Sequence, residues 1–139
     1  MSEQARSPFS YTVLRVVPSV ERGEFVNAGV VLHCPEQRFL GARVGLDEGR
    51  LAALAPDCDA AEVETQLEAI RRVAEGSPDG GPIARLGLAE RYHWLASPSS
   101  TVVQRSEGHT GLTSDPASTL EHLYASLVAA PSRAAPRRG

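Results

Sequence analysis

The first third of the chain carries short apolar bursts separated by turn-forming residues, and the remainder changes to a helical period. "SYTVLRVVP", Ser10 to Pro18, is β-branched and apolar and is closed by proline, which predicts a strand. After the turn-rich "SVERG", a second strand is expected over Glu24 to His33. Past a turn at Pro35, a third is expected over Arg38 to Gly45. Links this short join antiparallel neighbours, because a parallel crossover needs a dozen or more residues. Residues 1–9 read as a loose start.

Beyond Leu46 the apolar positions fall three and four apart. Asp47 starts a short helix with Leu51 and Leu54 on one side and Pro56 as its stop. In "DAAEVETQLEAIRRVAEG", Asp59 and Glu62 make a capping-box-like start. Val63, Leu67, Ile70 and Val73 or Ala74 form the apolar stripe, and Gly76 suits the C-terminal cap. "SPDGGP" is a loop, and "IARLGLAERYHWLASP" turns helical toward its end. Thr101 to Arg105 reads as a short strand able to join the sheet, and "SEGHTGLTS" as a glycine-bearing loop. Asp115 caps a last helix that opens on Pro116 and aligns Leu120, Leu123, Tyr124, Leu127 and Val128. Residues 131–139, with three Arg and two Pro, are expected to form a disordered tail. The fold class is therefore α+β, one domain over residues 1–130. Its sheet is small and antiparallel, a three-strand N-terminal meander plus a later short strand, with helices packed on one face.

Composition narrows the function. At 139 residues with 42% hydrophobic positions, the chain can bury a core without staples. A net charge of −3 argues against nucleic acid as partner. All 14 basic residues are Arg, so no Schiff-base lysine or Walker lysine exists. The polar start, "MSEQARSPF", has no apolar core of a secretory leader, and no apolar run approaches a membrane span. With only Cys34 and Cys58, a cytoplasmic, reduced protein is expected.

Alternation along the strands sorts the candidate residues by face. In the second strand Val26, Ala28, Val30 and Leu32 point one way, and Phe25, Asn27, Gly29, Val31 and His33 the other. In the third, Leu40, Ala42, Val44 and Leu46 oppose Phe39, Gly41, Arg43 and Gly45. Helices would cover the aliphatic face, leaving Asn27, Arg43 and His33 over glycines on the other. Arg15 joins them if Leu14 and Val16 face the core. Two guanidiniums beside an amide suit a carboxylate or phosphate; the plain alternative is a solvated sheet face. Glu21, Arg22 and Glu24 flank the turn before the second strand: the carboxylate pair can serve acid–base or metal chemistry, or Arg22 and Glu24 simply order the turn by an ion pair and backbone hydrogen bonds.

The four histidines show no metal spacing with one another or with cysteine, so no metal and no cofactor is expected. His109 is the one with a possible role, in a loop before a helix N-terminus with Thr110, where free amides can meet an anion. Ordinary capping by Ser114 or Asp115 explains the same residues. No nucleophile-elbow, Walker or dinucleotide pattern occurs, and no reaction is assigned.

Tyr11, Arg15, Pro18, Arg22, Gly23, Glu24, Phe25, Asn27 and Gly29 follow the pattern Y-x-hydrophobic-hydrophobic-R-x-x-P, then R-G-E-F-x-N-x-G. This stretch resembles the N-terminal signature of the bacterial domain-of-unknown-function family 3037. "SPSSTVVQ" and "HTGLTSDPASTLEHLYASLV" are similar to that family's C-terminal half, so the likeness spans roughly residues 8 to 130. The resemblance implies no established activity. It implies an accessory or regulatory role beside a HipA-like kinase, which would be a protein partner. A binding domain or small enzyme for an anionic ligand is the alternative, using Arg15, Asn27 and Arg43, completed by His109 and Thr110 only if these converge on one pocket.

Overall fold

A computed structural model describes residues 5–98 and 101–129. Three long strands come first: β1 (Ser7–Ser19), β2 (Glu24–Cys34) and β3 (Phe39–Val44). Helices α1 (Glu48–Leu54), α2 (Ala60–Glu75) and α3 (Leu88–Ala96) follow, then β4 (Val103–Arg105), β5 (His109–Thr113) and α4 (Pro116–Leu127). The sheet is antiparallel in the order β3-β2-β1, with β4 and β5 placed one after the other along the free edge of β1. The fold is α+β, as the meander and the later strand predict. The expected tail, residues 131–139, lies outside the described residues.

The loose start and the glycine-bearing loop are both shorter than expected, for one reason. β1 begins at Ser7, and residues Ser7 to Tyr11 pair with Thr113 to His109. Neither segment declares itself as a strand alone; thirteen residues of β1 offer an edge long enough for two partners. Between β4 and β5 the ladder is interrupted, and Ser106 bridges the gap. Its Oγ accepts from the Val13 amide at 2.9 Å, its own amide donates to Val13 O at 2.9 Å, and Thr12 Oγ1 donates to its carbonyl at 2.8 Å.

β2 contains a bulge that changes which side chains share a face. Leu14 pairs with Gly29 and Arg15 with Asn27, so Ala28 is left over. An extra residue reverses the alternation beyond it. Val26 and Ala28 therefore lie on the side of Val31 and His33, whereas Val30, Leu32 and Cys34 share the side of Phe25 and Asn27. The simple alternation expected for β2 is corrected here, and His33 leaves the Asn27 face.

Because the bulge divides the aliphatic residues between both sides, both sides need cover. The expectation of helices on one face is corrected accordingly. On the first side, α1, α2 and α3 bury Leu51, Val63, Leu67, Ile70 and Leu95 against Leu14, Val31 and Ala42. On the second, α4 sets Leu120 and the following Val128 against Val30, Leu32 and Cys34. Full burial of a residue such as Leu32 contributes about 1.5–3 kcal/mol.

The helix ends follow local chemistry. Asp47, Asp59 and Asp115 each accept an amide of the first turn as N-caps. Gly76 closes α2 at φ 67°, a left-handed conformation that favours glycine. No helix among the described residues is long and apolar enough to cross a membrane.

Candidate functional site

The signature residues gather at the end of the sheet where β1 turns into β2. β3 stops at Val44, opposite Gly29, so the first residues of β2 have no strand beyond them. α1 passes there, and a depression of about 440 Å³ remains, lined by Phe25, Val26, Asn27, Arg50, Ala53 and Leu54.

Arg15 and Asn27 are cross-strand partners at this end. Arg15 stacks over the Phe25 ring, its guanidinium carbon 4.3 Å from the centroid. Its Nε is buried and has no hydrogen-bond partner among the described residues. Asn27 Nδ2 donates to Leu127 O at 3.0 Å, which ties β2 to the end of α4, but Asn27 Oδ1 is buried without a partner. A buried polar atom left unpaired costs about 1–3 kcal/mol, so two of them side by side need explaining. A guanidinium beside an amide can hold a carboxylate or phosphate oxygen on Arg15 and a hydroxyl or amide hydrogen of the same ligand on Asn27.

The other expected site residues divide. Arg43 lies on the Asn27 face, yet it is occupied by α4: its Nε reaches both Glu121 oxygens at 2.9 and 3.0 Å, and its guanidinium lies 4.3 Å over the Tyr124 ring. Arg22 and Glu24 form an exposed ion pair at 2.8 Å across the turn. The hydrogen bond from Arg22 lowers the Glu24 pKa, and the same bond raises that of Arg22. His109 is exposed on β5, stacked on Tyr11 at 5.1 Å, rather than in a loop at a helix start. It pairs with Tyr11, four residues along β1 from Arg15, or roughly 13 Å at strand spacing. Thr110 is opposite Ser10 and turns to the other face from His109. These two do not converge with Arg15 and Asn27. His33 is buried against the Tyr92 ring at 5.0 Å, and burial lowers its pKa.

Comparison with family models places residues 11–128 in the protein family of unknown function DUF3037. The chain belongs to the DUF3037 family. No curated protein and no solved structure matches it. Most of the signature stretch of this DUF3037 chain has a folding role. Gly23 adopts φ 72° in the turn, and Arg22 and Glu24 brace it. Gly29 has no room for a side chain: a β-carbon would lie 2.9 Å from Leu14 Cδ1 and 3.0 Å from Arg43 O. Arg15 and Asn27 are different, because the fold leaves polar atoms of both unanswered.

Sequence reasoning did not single out Arg50, which lines the depression and is held by Asp47 at 3.5 Å. The position of α1 over β2 decides that, and no local pattern reports it. Among the described residues, no group of three His, Cys, Asp or Glu side chains could hold a metal ion.

Proposed function

We propose that this DUF3037 chain is a binding domain for an anionic group, carboxylate or phosphate, taken at Arg15 with Asn27 and Phe25 beside it. The observation that carries this reading is the buried, unpartnered Arg15 Nε beside the unpartnered Asn27 Oδ1. Arg43 is left out, since Glu121 already neutralises it. A thermal-shift panel of phosphate, sulfate and small carboxylates against chloride at matched ionic strength tests it. At least one anion should raise the melting temperature of the wild type and of Arg43→Gln, and fail to do so for Arg15→Gln. Equal responses in all three proteins reject the site.

A protein partner is the second reading, with the HipA-like kinase implied by the resemblance as the first to try. Two exposed apolar residues favour it: Val20 in the β1–β2 turn is 74% exposed, and Phe25 is 44% exposed at the site itself. Such residues at one end of a sheet suit a docking surface more than a solvated turn. Co-purification with the neighbouring kinase should succeed for the wild type and weaken for Val20→Asp. Two folded proteins that fail to associate at micromolar concentration reject this reading while leaving the anion site to its own test.

A further inference from the structure

A cleft of about 710 Å³ lies on the α2–α3 side of the sheet, where Val103 and Arg105 of β4 share the face of Val16 and Leu14, while Arg15, paired with Gln104, points to the other face. It opens between α2, the Pro82–Arg85 turn, the end of α3 and β4. Its volume is that of sites for small organic ligands. Ile70, Val73, Ile83 and Val103 give it apolar walls, and the half-exposed ring of Trp94 stands at its side.

One cation lines it without a counter-charge. Arg105 donates through Nε to Leu95 O at 2.6 Å and through Nη1 to Val103 O at 3.2 Å. These bonds hold the end of α3 and fix the guanidinium. They engage two of its five N–H donors. No carboxylate among the described residues lies within ion-pair distance of it; Arg72 and Asp79, also on the lining, lie 4.0 Å from each other. Burial lowers the pKa of Arg105, as an uncompensated charge requires. An arginine anchored by two carbonyls, half-buried in apolar walls beside a tryptophan, presents a fork for a carboxylate and a surface for a hydrophobic body.

We infer that this cleft binds a small carboxylic acid with an aromatic or aliphatic body, its carboxylate on Arg105 and its body against Trp94, Ile83 and Ile70. This site is independent of the Arg15 reading, since the two share no residue.

Trp94 is the only tryptophan in the chain, so its fluorescence reports the cleft alone. Hydrocinnamate is titrated against the neutral hydrocinnamyl alcohol. The acid should change the emission saturably and bind about tenfold more tightly than the alcohol. Arg105→Gln should reduce that preference to under about twofold. Should that variant fail to fold, Ala69→Phe serves: Ala69 is an exposed residue of the cleft lining, and the larger ring should abolish binding of both probes with the melting temperature unchanged. Arg15→Gln should bind both probes as the wild type does. The inference is overturned by an acid that does not bind, by equal affinities for acid and alcohol, or by binding that survives Ala69→Phe.

Discussion

Gly45 lies directly under the hydroxyl of Tyr124, so close that a β-carbon at position 45 would overlap the phenol oxygen. Two residues earlier on β3, Arg43 stacks on the same ring and pairs with Glu121. Space at Gly45 and charge at Arg43 together seat α4 on the sheet. Gly45→Ala should therefore destabilise the domain by about 1–3 kcal/mol, the usual cost of overpacking. The ring carbon Cζ would be 3.3 Å from the new methyl, so removing only the oxygen should relieve most of the strain. In denaturant unfolding, Tyr124→Phe should recover most of the loss in the Gly45→Ala background. A double-mutant cycle with no coupling rejects this account.

Much of this was legible in the sequence. The alternation of β3 correctly opposes Leu40 and Ala42 to Gly41 and Arg43, and the three aspartate caps fall where the helical period begins. The β2 bulge was not, because Ala28 and Gly29 fit a regular strand as well as a bulged one, and only pairing with Leu14 and Arg15 separates the two. Everything downstream of the bulge inherits the error: the face of His33, the second apolar side, and the need for α4 there. Of the site, Arg15 and Asn27 are readable as polar residues sharing a face. That Arg43 is occupied and His109 distant depends on where α4 and β5 dock, which no local pattern records.

Arg91 is a buried arginine of α3 whose Nη1 donates to Val73 O and Ala74 O at 3.2 and 3.3 Å. It satisfies carbonyls at the end of α2, across the helix–helix contact. A β-carbon at Gly76 would lie 2.6 Å from that nitrogen, so this glycine serves both the left-handed cap and the arginine. Arg91→Leu should cost about 1–3 kcal/mol by leaving the Ala74 carbonyl unpaired, since the Val73 carbonyl keeps the Gly76 amide at 3.1 Å. Gly76→Ala should cost about 1–2 kcal/mol from backbone conformation alone. Chemical denaturation measures both, and a loss below about 0.5 kcal/mol for either rejects the cap.

His33 predicts a pH dependence. Burial against Tyr92 lowers its pKa in the folded state below that of the unfolded chain. On acidification through the unfolded value the unfolded state binds more protons, so stability falls as pH falls; above that value His33 contributes no slope. Between about pH 7 and 5.5 the melting temperature should fall for the wild type and fall less for His33→Phe. The other three histidines are exposed on the surface. Parallel curves for the two proteins would show that His33 is not the source.

Ser106 is the test of how β5 is held. Its hydroxyl accepts the buried Val13 amide at the interruption between β4 and β5, and donates to Glu107 O at 2.9 Å. No neighbouring strand carbonyl replaces it at that point. Ser106→Ala leaves a buried amide without an acceptor and should cost about 1–3 kcal/mol. The effect should be local before it is global: hydrogen exchange should quicken at Val13 and across the β1–β5 ladder, from Ser7 to Tyr11, ahead of the β2–β3 amides. Thr12→Val, which removes the donor to Ser106 O, should loosen the same ladder. Unchanged protection at Val13 in Ser106→Ala would mean that pairing with β1 alone holds β5, and that the serine bridge is dispensable.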